Sequence, residues 1–282
     1  MPASFKPRLI RAPGKLVIAG EYAVVDGGKA IAIAINRGVE CKITSGFGIT
    51  TPSGDTRFVS PILKDKAQKS HYAFQSWNPV TNLQGAKPGF GGSAAACVCA
   101  CLAAGIVPQE AYDFHYNIQG SGSGIDIAAS IYGGTVVFEN REVKRSEPIS
   151  PVVIWSGKSA KTGPRVDSYR RWKQRDKFIE TSNQLVEEFL SNPVDVTKAL
   201  FQELVQMSQL AKLDYLTPEI QRIVNLAEQY NGAAKPSGAG GGDSLVAFFP
   251  TIEDEQSFTA RCKHDGITII PIKLSKGAHF VH

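Results

Sequence analysis

The chain lacks the long apolar run that a membrane span requires. No stretch of its 282 residues approaches the roughly 18 consecutive apolar residues that cross a bilayer. The first residues also lack the basic-then-apolar pattern that is typical of a secretion signal. We therefore expect a protein of the cytoplasm that makes no membrane contact.

Cysteine is scarce, with five residues in the whole chain. The number is odd, and Cys97, Cys99 and Cys101 fall in one predicted helix, so reduced thiols fit better than a disulfide framework. On a helix the middle cysteine points away from the other two, and no nearby histidine completes a metal-binding set. We expect these thiols to act as small apolar core residues.

A strong excess of one charge is also missing. The 31 basic and 26 acidic residues give a formal net charge of +5, and the sequence pI is about 8.9. The basic residues are not interleaved with aromatic ones, so the pattern argues against nucleic-acid binding. A mildly basic chain suits a small anionic substrate. The length and the 43% hydrophobic content allow one large or two modest domains, but they set no oligomeric state.

Glycine is plentiful, and one glycine-rich stretch precedes a predicted helix. Gly89, Gly91 and Gly92 lie within four residues, and small residues over 92–104 predict the helix. Free N–H groups and the positive end of the helix dipole together form a phosphate site. The spacing is neither that of a P-loop nor that of a dinucleotide fingerprint. A nucleotide polyphosphate site is one interpretation, and a plain glycine-rich turn before a core helix is the other.

A second glycine-rich stretch, residues 119–130, delivers one acid to the start of a short helix. That acid is Asp126, and a strand over 135–138 is predicted after it. A carboxylate at this position is either a catalytic group or a cap that interacts with the helix dipole, worth about 1 kcal/mol. The sequence leaves both interpretations open.

The third stretch, residues 235–244, has four glycines in five positions ahead of a strand predicted over 245–249. Glycine adds unfolded-state entropy worth up to about 1 kcal/mol per residue, so packing alone is a poor reason for such a run. Close approach of the backbone to a ligand explains it better.

The remaining pattern predicts an alternation of strands and helices. Strands are expected over 8–20 with a turn at Pro13-Gly14, and over 30–35, 39–44, 151–155 and 267–272. Residues 46–86 are expected to form a loop with one short helix. Helices are expected over 109–118, 166–190, 195–213, 217–231 and 252–264. The basic run near the start of 166–190 is typical of a solvated helix face.

These motifs resemble a known family. Pro13-Gly14-Lys15 to Gly20-Glu21-Tyr22, then Gly89 to Ala95, then Gly238 to Asp243, are similar in order to the three signature motifs of the GHMP kinases. The resemblance spans nearly the whole chain. Within the superfamily, the segments 119–129, 155–162 and 235–243 are most similar to the phosphomevalonate kinases, and Tyr22 replaces the histidine usual in mevalonate kinases.

The chain departs from the family pattern at two positions. Gly92 replaces the first serine of the usual Gly-Leu-Gly-Ser-Ser loop, so only Ser93 offers a hydroxyl. The metal-ligating acid that mevalonate kinases place about three helical turns before the catalytic aspartate has no match, and His115 falls near that position.

The resemblance implies an α+β, two-domain GHMP-kinase fold with the active site in the interdomain cleft. Residues 1–155 would form the N-terminal domain, with the ATP phosphate loop at 87–95, and residues 156–282 the C-terminal domain. The implied reaction is ATP-dependent phosphorylation of phosphomevalonate to diphosphomevalonate in the mevalonate pathway of isoprenoid biosynthesis. Mevalonate, a sugar or another alcohol as acceptor remains an alternative, as does a catalytically silent member that binds a small anion.

The resemblance also implies the site residues, with ATP and Mg²⁺ as cofactors and a small molecule as phosphate acceptor. Asp126 would be the general base, Lys15 would neutralise charge beside it, and Ser93 would bind Mg²⁺. The ATP-binding residues would be Lys87, Gly89, Phe90, Gly91, Gly92, Ser93 and Ala94. The substrate-binding residues would be Lys15, Glu21, Tyr22, Ser121, Ser123, Lys158, Ser237, Gly238, Ala239, Gly240, Gly241 and Asp243. A phosphorylated acceptor would need further cations, for which the candidates are Lys158, Lys161, Arg165 and Arg170. His279 and His282 are expected in the tail or on the surface.

Overall fold

The computed structural model describes residues 6–81, 83, 86–160 and 162–281. The strands are β1 (Arg8–Ala19), β2 (Ala30–Thr44), β3 (Gly48–Thr50), β4 (His71–Trp77), β5 (Thr135–Glu139), β6 (Glu142–Ser146), β7 (Val152–Trp155), β8 (Ala233–Pro236), β9 (Ser244–Phe248) and β10 (His279–Val281). The helices are α1 (Ser60–Leu63), α2 (Gly92–Ala104), α3 (Ala111–Gln119), α4 (Ile125–Tyr132), α5 (Thr162–Arg171), α6 (Asp176–Glu188), α7 (Pro193–Leu210), α8 (Pro218–Glu228) and α9 (Ile252–His264). This mixed content agrees with the predicted α+β class.

The larger sheet is organised around β2. Its strand order is β10-β1-β2-β4-β3, with β5 paired to β2 and β6 to β5. The first part of β2 pairs with β5 and the second part with β4, while β1 runs antiparallel along nearly its whole length. The β3–β4 pair is parallel. Strand β1, which carries Lys15, is therefore held along most of its length by hydrogen bonds to β2.

Two predicted breaks in strands are wrong. Pro13-Gly14 is not a turn but a register shift inside a continuous β1, which suits a proline that has no N–H to donate. The predicted strands over 30–35 and 39–44 are one strand, because β1 pairs across the polar residues between them. Arg37 is buried there and donates hydrogen bonds to Pro271 O and Asn78 O.

Helices α2 and α4 pack on the larger sheet. Helix α2 is built of alanine and cysteine, is buried over most of its surface, and ends at Gly105 in the left-handed conformation. Small side chains let it lie close to the strands. All five cysteines are buried free thiols, which confirms their predicted role as core residues.

The smaller sheet is antiparallel, in the order β7-β9-β8. Helices α8 and α9 contribute Ile220, Ile223, Phe258 and Cys262 to the apolar cluster against it. Helices α8 and α9 therefore pack on this antiparallel sheet. A further cluster contains Leu16 and Ile31 of the larger sheet together with Val153 and Val246 of the smaller one. The two sheets therefore share a continuous core.

Other predicted elements need correction. Residues 166–190 divide into α5 and α6, and residues 267–272 make only an isolated bridge, Ile154 with Ile269. Residues 46–86 contain β4, which lies inside the larger sheet and has no strong local signal. His279 is not in a free tail but lies in β10, paired with Arg11 of β1. Lys161 and His282 lie outside the described residues. Among the helices that the structure describes, none is long and apolar enough to cross a membrane.

Candidate active site

The first motif lies directly against the glycine loop of the second. The backbone N–H of Lys15 donates to Phe90 O at 3.0 Å, and Lys15 Nζ donates to Gly89 O at 3.1 Å. A Cβ on Gly14 would lie 2.4 Å from Phe90 O, so a larger residue would push the two backbones apart. Residues 74 positions apart along the chain thus meet at Lys15.

The third motif closes on the same loop from the other side. Ser244 Oγ donates to Pro88 O at 2.8 Å. Gly89 has a φ of +78°, and a Cβ there would lie 2.6 Å from Asp243 Oδ2. The other carboxylate oxygen, Asp243 Oδ1, accepts from Ala160 N at 2.8 Å. Burial raises the pKa of Asp243, while the Ala160 N–H and the charge of Lys15 oppose that rise.

Direct contacts also join the first motif to the third. Val17 N donates to Ser237 Oγ at 2.9 Å, and the Tyr22 hydroxyl donates to Ala239 O at 2.6 Å. Tyr22 has a positive φ of 63°, which is uncommon for an aromatic residue and costs energy that these contacts offset. The three predicted motifs therefore converge on one another in space.

A buried ion pair lies below this junction. Lys235 Nζ donates to Glu21 Oε1, and both side chains are almost completely shielded from solvent. Burial lowers the pKa of Lys235, and the Glu21 carboxylate opposes that shift. The second carboxylate oxygen, Glu21 Oε2, is buried without a hydrogen-bond partner. The ion pair of Glu21 with Lys235 thus holds the first motif against the strand that leads into the third.

Asp126 and Lys15 both lie beside Gly91. A Cβ on Gly91 would be 3.3 Å from Asp126 Oδ2 and 3.4 Å from Lys15 Cγ. Gly91 has a φ of +71° and caps the N-terminus of α2, while Asp126 lies in the first turn of α4. The predicted carboxylate and the side-chain stem of the predicted cation therefore lie near the N-terminus of α2, where the helix dipole favours an anion.

The one side-chain hydroxyl between residues 89 and 94 belongs to Ser93. Its Oγ lies 3.1 Å from His115 Nε2 on α3. The His115 ring is 8% exposed and stacks on Phe58 with ring centroids 5.0 Å apart. Burial lowers the pKa of His115, and the charge of Asp126 acts in the opposite direction. The sequence placed His115 near a metal-ligand position but did not reveal its contact with Ser93.

A cavity of about 350 Å³ opens beside Asp126. Ser121 and Ser123, which the sequence proposed as substrate contacts, lie in its wall, and so does Arg170 of α5. The sequence assigned no site role to the other wall residues, which are Val24, Val25, Gly27, Tyr112, Tyr116, Gln119, Gly122, Gly124, Ile127, Phe138, Asn140 and Arg141. The cavity has room for a small polar molecule next to the carboxylate.

The other predicted substrate contacts lie away from the cavity wall. The Lys158 ammonium lies 3.5 Å from Glu219 Oε2, and both side chains are about half exposed. The Lys158 carbonyl accepts from Asp243 N and so supports the third motif. The Arg165 guanidinium lies against Gly241, and its Nε donates to Asp214 O at 3.2 Å. The backbone of Lys87 exchanges two hydrogen bonds with Ser159 Oγ.

The donor set near α2 suits Mg²⁺. This ion keeps several waters and needs only one or two protein oxygens when nucleotide phosphates complete its shell. Ser93 Oγ and the Asp126 carboxylate can supply such oxygens. Among the described residues, no group of three or more His, Cys, Asp or Glu side chains forms a self-sufficient metal site. A cation held jointly with a nucleotide therefore fits, and an independent metal centre does not.

Known proteins are similar to this chain along its length. The family described as "GHMP kinases C terminal" matches residues 188–265. A phosphomevalonate kinase from Streptomyces sp. (strain CL190) is 26% identical, over 94% of this chain and 96% of the relative. A mevalonate kinase from Archaeoglobus fulgidus is 27% identical, over 92% and 98%.

Solved structures share the fold. A Lin0012 protein from Listeria innocua superposes with a TM-score of 0.84 at 23% identity, covering 98% of this chain and 99% of that one. Streptococcus pneumoniae phosphomevalonate kinase, in complex with phosphomevalonate and AMPPNP, gives a TM-score of 0.74 at 17% identity, covering 95% and 99%. Residues 188–265 thus match the GHMP kinase C-terminal family, and along nearly its whole length the chain is similar in sequence to phosphomevalonate and mevalonate kinases.

Proposed function

We propose that the protein is an ATP-dependent kinase that phosphorylates phosphomevalonate. The observation that carries this proposal is the position of Asp126 and Lys15 together beside Gly91, with Asp126 also lining an open cavity. A carboxylate and an ammonium at the N-terminus of a helix are the groups that phosphoryl transfer to an alcohol or phosphate requires.

The nucleotide phosphates lie across residues 87–94 in this proposal. Gly89 and Gly91 adopt positive φ, which turns the backbone toward the N-terminus of α2. A Cβ at Gly92 would meet no atom within 4 Å, so this backbone is open to an approaching ligand. The free N–H groups of the first turn of α2 then bind phosphate oxygens.

The acceptor oxygen attacks the γ-phosphorus, and the bond from that phosphorus to the bridging oxygen of ADP breaks. Asp126 takes the proton if the acceptor oxygen carries one, and otherwise orients it. Lys15 neutralises charge on the transferred group. A bound Mg²⁺ neutralises charge on the phosphate oxygens, and Ser93 with Asp126 would hold it. Positioning and charge neutralisation thus account for the catalysis.

The cavity beside Asp126 is the proposed acceptor site. Ser121 and Ser123 offer hydroxyls to the polar groups of the acceptor, and Arg170 offers a guanidinium to an anionic one. Arg170 supports a phosphorylated acceptor, as does the relative named phosphomevalonate kinase. Lys158 is less well placed because its ammonium faces Glu219. The third motif, from Gly238 to Asp243, closes the site opposite the glycine loop.

Mevalonate is the second candidate acceptor, because the relatives include mevalonate kinases of nearly equal identity. A catalytically silent protein that binds an anion is a further alternative. Gly92 and the absence of an acid at position 115 favour it. The presence of both Lys15 and Asp126 beside Gly91 favours catalysis.

An ADP-release assay separates these functions. The purified chain is given Mg·ATP with phosphomevalonate, mevalonate, homoserine or galactose, and Asp126→Asn supplies the background. We expect ADP release with phosphomevalonate at a kcat/KM at least tenfold above that for mevalonate. A preference for mevalonate or galactose would overturn the acceptor. ADP release no faster than the Asp126→Asn background with every acceptor, despite Mg·ATP binding in a thermal-shift test, would support the silent alternative.

A further inference from the structure

His115 forms a side-chain pair with Ser93, and the proposed reaction steps assign His115 no role. Ser93 lies in the first turn of α2, and His115 lies on α3 with its ring 8% exposed. Their Oγ and Nε2 atoms are 3.1 Å apart. His115 also lines the cavity that Asp126 lines. The pair thus occupies the space between the phosphate loop and the acceptor cavity.

We propose that His115 is a positioning residue, whose Nε2 accepts the Ser93 hydroxyl proton so that the Ser93 oxygen presents its lone pairs to the nucleotide-bound cation. This inference rests on the proposed kinase function. It assigns His115 a role through Ser93 and not as a ligand of the cation.

The orientation of the Ser93 hydroxyl matters because Ser93 is the one residue with a hydroxyl side chain in the phosphate loop. Residues 89 to 92 are glycine, phenylalanine and two further glycines, so no second hydroxyl shares the task. A serine hydroxyl rotates freely and has one proton and two acceptor lone pairs. When the proton is donated to His115, both lone pairs remain for the cation. When the hydroxyl rotates, its proton can face the cation instead.

The ring of His115 is held in one orientation. Phe58 stacks on it with an interplanar angle of 25° and a centroid distance of 5.0 Å. Phe58 comes from the segment just before α1, outside the three signature motifs. Its contact and the packing of α3 on α2 both restrict the imidazole. A restricted acceptor fixes the direction of the Ser93 O–H bond, which a mobile acceptor would not.

The bond between Ser93 and His115 also explains the residue type at position 115. A carboxylate there would add a negative charge and could bind the cation itself, as metal-ligating acids do. A histidine nitrogen already engaged by Ser93 does neither. The protein contribution to cation binding is then concentrated in the Ser93 oxygen and Asp126.

The test measures binding of AMPPNP by calorimetry, with and without Mn²⁺, so that turnover is not needed. The ratio of the two affinities is the metal-dependent gain. We expect His115→Leu, which has no acceptor, to reduce this gain about three- to tenfold, the effect of one lost hydrogen bond. His115→Gln, whose amide oxygen can accept from Ser93, should stay within about twofold of the wild type. Metal-free affinity and the thermal unfolding midpoint should be unchanged in both variants.

A double-variant cycle makes the test specific. Ser93→Ala should remove the same gain, and the double variant Ser93→Ala with His115→Leu should equal Ser93→Ala alone. If His115→Leu does not fold, His115→Asn replaces it, because its shorter side chain does not reach Ser93. If the losses of metal-dependent gain in the two single variants multiply in the double variant, the proposal is overturned. It is also overturned if His115→Leu keeps the full metal-dependent gain of the wild type.

Pulsed electron paramagnetic resonance of bound Mn²⁺ provides the second readout. A positioning role predicts no ¹⁴N coupling from an imidazole, and a coupling that disappears in His115→Gln would overturn the proposal by making His115 a ligand. Failure of the wild-type chain to bind AMPPNP, with or without Mn²⁺, would overturn the kinase function and this inference together. Wild-type binding with a normal gain in His115→Leu would overturn the inference alone.

Discussion

Lys235 and Glu21 form an ion pair in which both side chains are shielded from solvent, although 214 residues separate them in the chain. Lys235 lies in β8 just before the third motif, and Glu21 belongs to the first. The pair therefore joins the turn that follows β1 to β8 of the smaller sheet, close to the point where the glycine loops meet. Replacing either Glu21 or Lys235 should therefore disturb the packing of the first motif against the third.

Removing one partner should be more harmful than removing both. Lys235→Met leaves the Glu21 carboxylate buried without a counter-charge, and we expect a loss of about 3–5 kcal/mol in the free energy of unfolding. The double variant Lys235→Met with Glu21→Leu should recover much of that loss, because no buried charge remains. Urea unfolding of the single and double variants measures both values. A double variant less stable than Lys235→Met would contradict the interpretation.

Gly91 and Gly92 offer a matched comparison. Gly91→Ala places a Cβ 3.3 Å from Asp126 Oδ2 at a φ of +71°, and we expect a loss of about 1–2 kcal/mol in folding stability. Gly92 begins α2 and has open space around its Cα. Gly92→Ala should therefore be neutral or stabilise the fold by up to about 1 kcal/mol. Thermal and urea unfolding test the pair, and equal effects would argue against the described backbone at Gly91.

Arg170 should discriminate between acceptors. We expect Arg170→Gln to raise KM for phosphomevalonate about 10- to 100-fold, the effect of losing a charge-assisted hydrogen bond. The kcat/KM for mevalonate, which lacks the phosphate, should change little. Lys158→Gln is the matched control, since the Lys158 ammonium faces Glu219, and its effect on KM should be much smaller. The reverse order of effects would place the anionic group of the acceptor at Lys158.

Asp243 should give the protein a recognisable pH dependence. Burial raises its pKa above the ordinary value, so the folded state binds a proton more readily than the unfolded state does. The stability associated with that proton is fully present below the unfolded pKa and is lost as the pH rises through the folded pKa. Asp243→Asn can still accept from Ala160 N, and asparagine tolerates the φ of 58° at this position. Wild type should therefore gain stability relative to Asp243→Asn as the pH falls from 7 to 4. If the wild type instead loses stability relative to Asp243→Asn as the pH falls, the raised pKa of Asp243 is contradicted.

The sequence was most informative where local chemistry decides the structure. Helix α9 was predicted over 252–264 and has those bounds, because Thr251 caps it and acidic residues fill its first turn. The helix over 92–104 and the placement of Asp126 at a helix start were also correct. Glycine spacing alone indicated the loops that meet at Lys15.

Features set by distant pairing could not be predicted in this way. Strand β4 forms because β2 pairs with it, and residues 71–77 show no clean alternation of their own. The contact of Ser93 with His115 joins two helices, and the Glu21–Lys235 pair joins two sheets, so neither has a local signal. The sequence contains one hint of this pair. Lys235 follows two alanines and precedes a proline in a strand whose other residues are apolar, so a buried lysine there would need a buried partner.

Asp126 is proposed to assist transfer to an acceptor bound beside it, and the Asp126→Asn variant isolates that role. Single-turnover phosphorylation of phosphomevalonate should slow by about 10²–10⁴-fold, the usual contribution of a general base. Affinity for AMPPNP should stay within about threefold, because the phosphates contact the glycine loop. Wild-type phosphorylation rates in Asp126→Asn, with the variant folded and binding AMPPNP, would contradict the assignment.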